Sequence, residues 1–297
     1  ERLHRSALVQ RKSGSRCNDG TMPDRSRVSL TFDVDTISLW MSRQDRTAFS
    51  RGEFGVVGAR RILKLLASRS IHATFFVPGL TASTYPDLLE EIVDGGHEVG
   101  HHGNHHENPA RLERDEEHRV LEEGLAILEN LTGQRPVGWR SPGGYVTSST
   151  FELLIDAGFS YDSSLMGHDV RPYRCRLDDR WVKGEGVEWG TEVDLVEFPW
   201  AWHLDDFPWF EYIPPQGGNL TPPSAVLETW LGDLDWALTH EPGGVLTYTM
   251  HPQVIGRGNR MLMLEQLLDE IEERDVGFTT LEKAANDWRA DHPFKHP

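Results

Sequence analysis

An α/β fold built on a parallel sheet, closed or partly closed into a barrel, is what this 297-residue sequence predicts. Three observations carry the prediction. Short apolar runs of strand length alternate with longer runs of helical period, the alternation recurs at spacings of roughly 25 to 40 residues, and the strand-like runs end on polar or titratable residues. In a parallel sheet those ends share one face, where such folds carry their chemistry.

The first strand is Val28-Ser-Leu-Thr-Phe-Asp-Val-Asp35. Val28, Leu30, Phe32 and Val34 are apolar at every second position, and Asp33 and Asp35 fall where the strand should stop. One Asp after a strand is most often a turn cap, so the case for a site rests on the later strand ends. Residues 55–70 carry a helical stripe of Val56, Ala59, Ile62, Leu63 and Leu66, and 73–77 form a second strand closed by Pro78-Gly79. Helix 85–94 then precedes strand 97–101, helix 111–131 precedes strand 137–140, and helix 149–157 precedes strand 159–161. A sixth strand at 195–198, a helix at 224–240, a seventh strand at 244–250, a helix at 261–273, an eighth strand at 278–281 and a short last helix complete the pattern.

Composition narrows the function. A hydrophobic content of 38% over 297 residues can build a sizeable core in a soluble globular protein, and a formal net charge of -17 argues against a nucleic-acid partner, which needs clustered Lys and Arg. Cys17 and Cys175 are too few for a disulfide framework and too far apart for a zinc knuckle. No apolar run reaches membrane-spanning length, and residues 1–25 read as a flexible, basic and polar N-terminal extension without the apolar centre of a secretory signal. The expectation is a cytoplasmic protein with no membrane contact and one domain over 26–297.

Gly96-His-Glu-Val-Gly-His-His-Gly-Asn-His-His-Glu107 holds five histidines next to a strand end. Chance predicts fewer than one i, i+4 pair from 14 histidines, yet His97/His101, His101/His105 and His102/His106 all occur here. Imidazoles with a carboxylate and an open position are how catalytic zinc and similar cations are held. Spacing alone does not choose the register.

Thr-Phe-Asp-Val-Asp35, the histidine-rich stretch, Arg-Ser-Pro-Gly-Gly144 and Thr-Met-His-Pro252, in that order, resemble the successive motifs of the polysaccharide deacetylases, carbohydrate esterase family 4 with its NodB homology domain. The likeness spans about residues 26 to 285 and implies a distorted, seven-stranded (β/α) barrel of TIM-like type. It also implies hydrolysis of N-acyl groups with a divalent metal, commonly zinc. By position, the resemblance makes Asp35, His102 and His106 the metal ligands and Asp33 the base. Arg140 orients that base, and His251 is the acid that protonates the leaving nitrogen. The usual first motif has adjacent aspartates, whereas Val34 intervenes here; a subgroup with the same interruption includes peptidoglycan-deacetylase-like and cyclic-imide-hydrolase-like proteins and tends to form homo-oligomers. This chain is similar to that subgroup.

Gly143 stands where the family usually has an aromatic residue, so an oxyanion donor falls to the N–H of Gly143 or Gly144. Glu197 and Asp194 are the acids offered to support His251. Trp200 and Trp202, in the aromatic stretch 200–210, are expected as a pocket wall against a sugar ring or planar imide. The expected activity is hydrolysis of carbon-nitrogen bonds other than peptide bonds, first on N-acetyl sugars or oligosaccharides. A cyclic imide or ureide hydrolase is the alternative, and an inactive carbohydrate-binding relative comes last because all three ligands are present.

Overall fold

The computed structural model describes residues 26–213 and 217–295. Residues 1–25, with the expected flexible extension and Cys17, lie outside the described residues. Strands β1 (Arg27–Asp33), β2 (Thr74–Val77), β3 (Glu98–His101), β4 (Gly138–Trp139), β5 (Tyr161–Asp162), β6 (Tyr173–Leu177), β7 (Arg180–Val182), β8 (Gly186–Glu188), β9 (Thr191–Glu197), β10 (Val245–Met250) and β11 (Gly277–Phe278) follow in chain order. The nine-stranded main sheet runs β10-β1-β2-β3-β4-β5-β9-β6, and all neighbours are parallel except β6, which is antiparallel to β9. Among the described residues β10 and β6 do not pair, so the curled sheet is the distorted, partly closed barrel expected from the sequence. Strand β11 pairs with β1 at Arg27 and Val28, while β2 pairs with β1 at Thr31 to Asp33, so β11 fills the gap where β1 and β2 splay.

Two features depart from the sequence reading. Between β5 and β9 the chain forms the antiparallel β6 and the separate β7–β8 hairpin, where the sequence reading placed no element. These segments are rich in Arg, Asp and Glu, and β7 and β8 are largely exposed, so they lack the one-sided alternation that marks a half-buried strand.

Alternation on β1 and β10 sorts side chains onto two faces. Val28, Leu30 and Phe32, with Leu246, Tyr248 and Met250, join the large core packed against helices Phe54–Arg69, Pro223–His240 and Gly258–Glu273. Each such side chain contributes about 1.5–3 kcal/mol on full burial. Ser29, Thr31, Asp33, Thr247 and Thr249 alternate with them and are buried too, so the barrel's inner face is a polar strip. A smaller apolar cluster of Phe76, Tyr161, Val196, Phe198, Val245 and Leu281 fills the rest of the interior, with helix Leu281–Asp291 against it. Among the described residues no helix is long and apolar enough to cross a membrane.

Candidate active site

The C-terminal ends of β1, β3, β4 and β10 bring together residues far apart in sequence. Parallel register sets His101 beside Val77 and Trp139, and Phe32 beside Met250, so Asp33, His102, Arg140 and His251 emerge at one level. A pocket of about 220 Å³ is lined by Asp33, Asp35, His102, His106, Arg140 and His251, with Gly143, Gly144, Trp200 and Trp202 on its walls. The ten residues expected as metal ligands, catalytic groups or pocket wall therefore meet at one site.

The register left open by the histidine spacing is resolved by what each ring touches. His101 is fully buried on the helix side, its Nε2 donating to Leu121 O (3.1 Å) and its Nδ1 accepting from Gly103 N (3.1 Å). His97 Nδ1 accepts from Ala73 N. Both rings are pushed below their ordinary pKa by burial, His101 to about 3 and His97 to about 4. His102 donates Nδ1–H to Arg140 O (2.8 Å), which turns its Nε2 toward Asp35 Oδ1 at 3.4 Å. His106 Nε2 lies 3.6 Å from the same oxygen.

Asp35 Oδ1 is buried and accepts no hydrogen bond, while Gln253 Nε2 donates to Oδ2 (3.2 Å) and fixes the carboxylate plane. One carboxylate oxygen and two imidazole nitrogens thus stand within 4.8 Å of one another. Ligands about 2.0–2.1 Å from a tetrahedral zinc would be about 3.3–3.5 Å apart, so these spacings fit a cation. An orphaned acceptor is what a metal site leaves when viewed as protein alone. Burial opposes charge on Asp35, but the imidazoles of His106, His102 and His251 outweigh it and hold the carboxyl well below the usual range. Burial dominates at His106 and pushes it down to about 4, so this ring is neutral and free to ligate. At His102 burial is overcome by Asp33 and Asp35, which raise its pKa and so favour a positive charge, cation or proton, at this point. Backbone strain flanks the ligands: Thr36 has φ 46° and His106 φ 60°, in the region that non-glycine residues rarely occupy.

Arg140 is buried, with four of its five N–H donors engaged. Its Nε donates to Ser163 O (3.0 Å), NH2 to Ser163 Oγ (2.9 Å), and NH1 to both Thr31 Oγ1 (2.7 Å) and Asp33 Oδ1 (2.9 Å). Its plane lies over the Phe76 ring, 4.3 Å from the centroid. Asp33 is left with Oδ2 toward the pocket, 3.8 Å from His102 Nε2 and 4.0 Å from His251 Nε2.

His251 follows β10 and is supported by an acid that the sequence reading missed. Asp206 Oδ1 accepts from its Nδ1 at 2.8 Å, and both Asp206 oxygens accept from its backbone N–H at 3.1 Å. Neither acid offered from sequence has this place: Glu197 accepts from Ser164 N and Leu165 N, and Asp194 pairs with Arg174 and Arg289. Asp205 sits 3.7 Å from the same Nδ1 and caps the short helix Asp206–Phe210. Burial disfavours charge on His251, but Asp205 and Asp206 raise its pKa well above the ordinary value. Burial pushes Asp205 up to about 7. The available signal was the doubled acid in Trp-His-Leu-Asp-Asp206, inside the stretch read only for its aromatics.

In the Ser-Pro-Gly-Gly loop, Gly144 N donates to Ser141 O (2.9 Å), which leaves the Gly143 N–H as the loop donor beside the pocket. Both glycines have positive φ, and a Cβ on Gly144 would come within 2.6 Å of the Trp200 ring. Trp200 is buried behind this loop, while Trp202 packs edge-on against it at 4.5 Å and is 47% exposed, so Trp202 presents the open aromatic surface.

Comparison with known proteins shows the family. Residues 21–161 match the family model described as polysaccharide deacetylase. The peptidoglycan deacetylase of Helicobacter pylori (strain ATCC 700392 / 26695) is 34% identical over 286 residues, covering 90% of this chain and 98% of that one. A crystal structure from Mycobacterium smegmatis, provisionally named a polysaccharide deacetylase, superposes with TM-score 0.79 at 30% identity over 94% of this chain and 97% of that one. PuuE allantoinase shares the fold, with TM-score 0.76 at 23% identity over 92% and 93% of the two chains. A pocket with this constellation at the strand ends, on a sheet of this topology and with likeness running through nine-tenths of the sequence, places the chain in the polysaccharide deacetylase family.

Proposed function

We propose that this chain is a metal-dependent deacetylase of N-acetylated sugars in a glycan, a reading supported by its likeness to the H. pylori protein named peptidoglycan deacetylase. The observation that carries the reading is the orphaned Asp35 Oδ1 facing His102 and His106, with Asp33 and His251 across the same pocket. Asp35, His102 and His106 would hold the cation, and zinc suits a site of two imidazoles and one carboxylate. Bound there, it would lower the pKa of water and polarise an acyl oxygen.

The remaining steps belong to the chain's own groups. Asp33, turned by Arg140 so that Oδ2 faces the pocket, takes a proton from the attacking water. Attack on the amide carbon places negative charge on the acyl oxygen, beside the Gly143 N–H. His251, held by Asp206 with Nε2 facing inward, donates the proton that lets the amine depart. Trp202 offers a flat face to a ring.

A second reading, hydrolysis of a cyclic imide or ureide, is favoured by the small volume of the pocket and its aromatic wall. One experiment separates the two. Acetate release from N-acetylglucosamine oligomers, abolished by chelator and restored by zinc, is the expected result. Ring opening of succinimide or hydantoin without acetate release would replace the first reading with the second, and chelator-resistant turnover would remove the metal from either.

A further inference from the structure

Helix Gly79–Thr84 contributes no residue to the pocket, yet it grips both segments that carry the cation ligands. It follows β2 and starts against the loop between His102 and His106. There Gly79 N donates to Gly103 O (3.1 Å) and Leu80 N donates to Asn104 O (2.8 Å). The approach is so close that a Cβ on Gly79 would come within 2.5 Å of Asn104 Oδ1. One residue farther along, Thr81 Oγ1 donates to Asp35 O (2.9 Å).

A hydroxyl has one proton and two lone pairs. With its proton on the Asp35 carbonyl, Thr81 accepts from Thr36 Oγ1 and from Ser38 Oγ, each 2.9 Å away. Thr36, Ser38 and Thr81 are all buried, where water does not replace a lost partner. This knot sits where the backbone is least at ease. Thr36 directly follows the ligand and has φ 46° with ψ -121°, a conformation that a β-branched residue holds only when its surroundings over-determine it. Three hydrogen bonds from one hydroxyl to residues 35, 36 and 38 supply that constraint. Released, the turn would relax toward ordinary angles and swing the Asp35 carboxylate, whose Oδ1 stands 3.4 Å from His102 Nε2 and 3.6 Å from His106 Nε2.

We infer that Thr81 is a positioning residue of the cation site: its hydroxyl ties the Asp35 turn to the helix that also holds the loop between His102 and His106, and so sets the spacing of the three ligands. Thr81 acts through the backbone of Asp35 and touches no ligating atom. The inference rests on the metal reading of the pocket.

The test is the zinc affinity of the metal-stripped full chain, read by competition with a chromophoric chelator, beside urea unfolding of the metal-free protein. Thr81→Val removes the hydroxyl at nearly constant volume and should weaken zinc binding about 10- to 100-fold, the scale for groups that orient metal ligands. Thr81→Ser keeps the hydroxyl and should recover most of that loss. Thr74→Val removes a buried hydroxyl that donates to Glu98 Oε2 at the opposite ends of the strands; it should lower the urea midpoint and leave zinc affinity unchanged. Ser38→Ala removes one of the two donors to Thr81, should weaken zinc by a smaller step, and decides the matter if Thr81→Val does not fold. Unchanged affinity in Thr81→Val, equal losses in Thr81→Val and Thr81→Ser, or an equal loss in Thr74→Val overturns the proposal and keeps the metal site. Wild type that takes up no divalent cation overturns the metal reading and, with it, the role of Thr81.

Discussion

Buried acids occupy both ends of this barrel, and the two ends treat them in opposite ways. At the N-terminal ends of the strands, Glu98 accepts at Oε2 from Thr74 Oγ1 (2.7 Å) and Glu282 N (2.9 Å), and at Oε1 from Tyr161 OH. Thr74 Oγ1 in turn accepts from Leu281 N (2.9 Å), which ties the C-terminal helix to the sheet. At the C-terminal ends, Asp35 keeps a buried oxygen without a partner, and the backbone at Thr36 and His106 is strained. The polar groups around Glu98 close on one another; those around Asp35 are held open toward a pocket. A saturated network serves stability, and an unsaturated one is a place where a ligand completes the structure.

Substitutions at the open end should show the larger effects. His102→Ala should lose both bound metal, by mass spectrometry, and activity, by more than about a thousandfold, whereas Asp33→Asn should keep the metal and lose about 10²- to 10⁴-fold in kcat. Equal metal loss in both would mean that the two carboxylates share the ligand role, and the contrast between them would collapse. Asp206→Asn should lower kcat about 10- to 100-fold with the metal retained, the scale found for groups that orient an active ring. An unchanged kcat in that variant would hand the support of His251 to Asp205.

The closed end should respond in stability instead. Burial pushes Glu98 up to about 7 from an ordinary value near 4.5. The folded chain therefore binds this proton more tightly than the unfolded chain, so the contribution is fully present below about pH 4.5 and is lost as pH rises toward 7. Urea unfolding across that window should show wild type losing stability relative to Glu98→Gln. Tyr161→Phe, which leaves Oε1 buried without its donor, should cost about 1–3 kcal/mol with kcat within about twofold of wild type. A large kcat loss in Tyr161→Phe would break the division of labour between the two ends.

The two ends were also unequally legible. Asp33, Asp35, Arg140 and His251 could be found from sequence because a parallel sheet forces residues that follow strands onto one face, and β1 and β10 announce themselves by strict alternation. Choosing His102 and His106 over His97 and His101 needed the motif resemblance, since all of them share the same spacing; the structure separates them by which rings face the helix side and which face Asp35. Asp206 and Gln253 escaped because they support other residues from a five-residue and a four-residue helix, where no period marks a direction. The Glu98 network was hidden for a different reason. Its members are single polar residues at the starts of β2, β3 and β5, and nothing local in such a residue shows that three strands will bring it to the same point.

The bond from Arg140 to Asp33 spans 107 residues of chain. The same guanidinium also donates to Thr31 and Ser163, so its acceptors come from β1 and from the turn that follows β5. No early hairpin or single βα unit can satisfy this guanidinium, and contacts of such long range are made late in folding, after the loops between them have closed. A nascent or partly unfolded chain therefore cannot present an oriented Asp33. Competence at this site reports that the sheet from β1 to β5 has been assembled in register, which makes the buried arginine a checkpoint on folding as much as a part of the pocket.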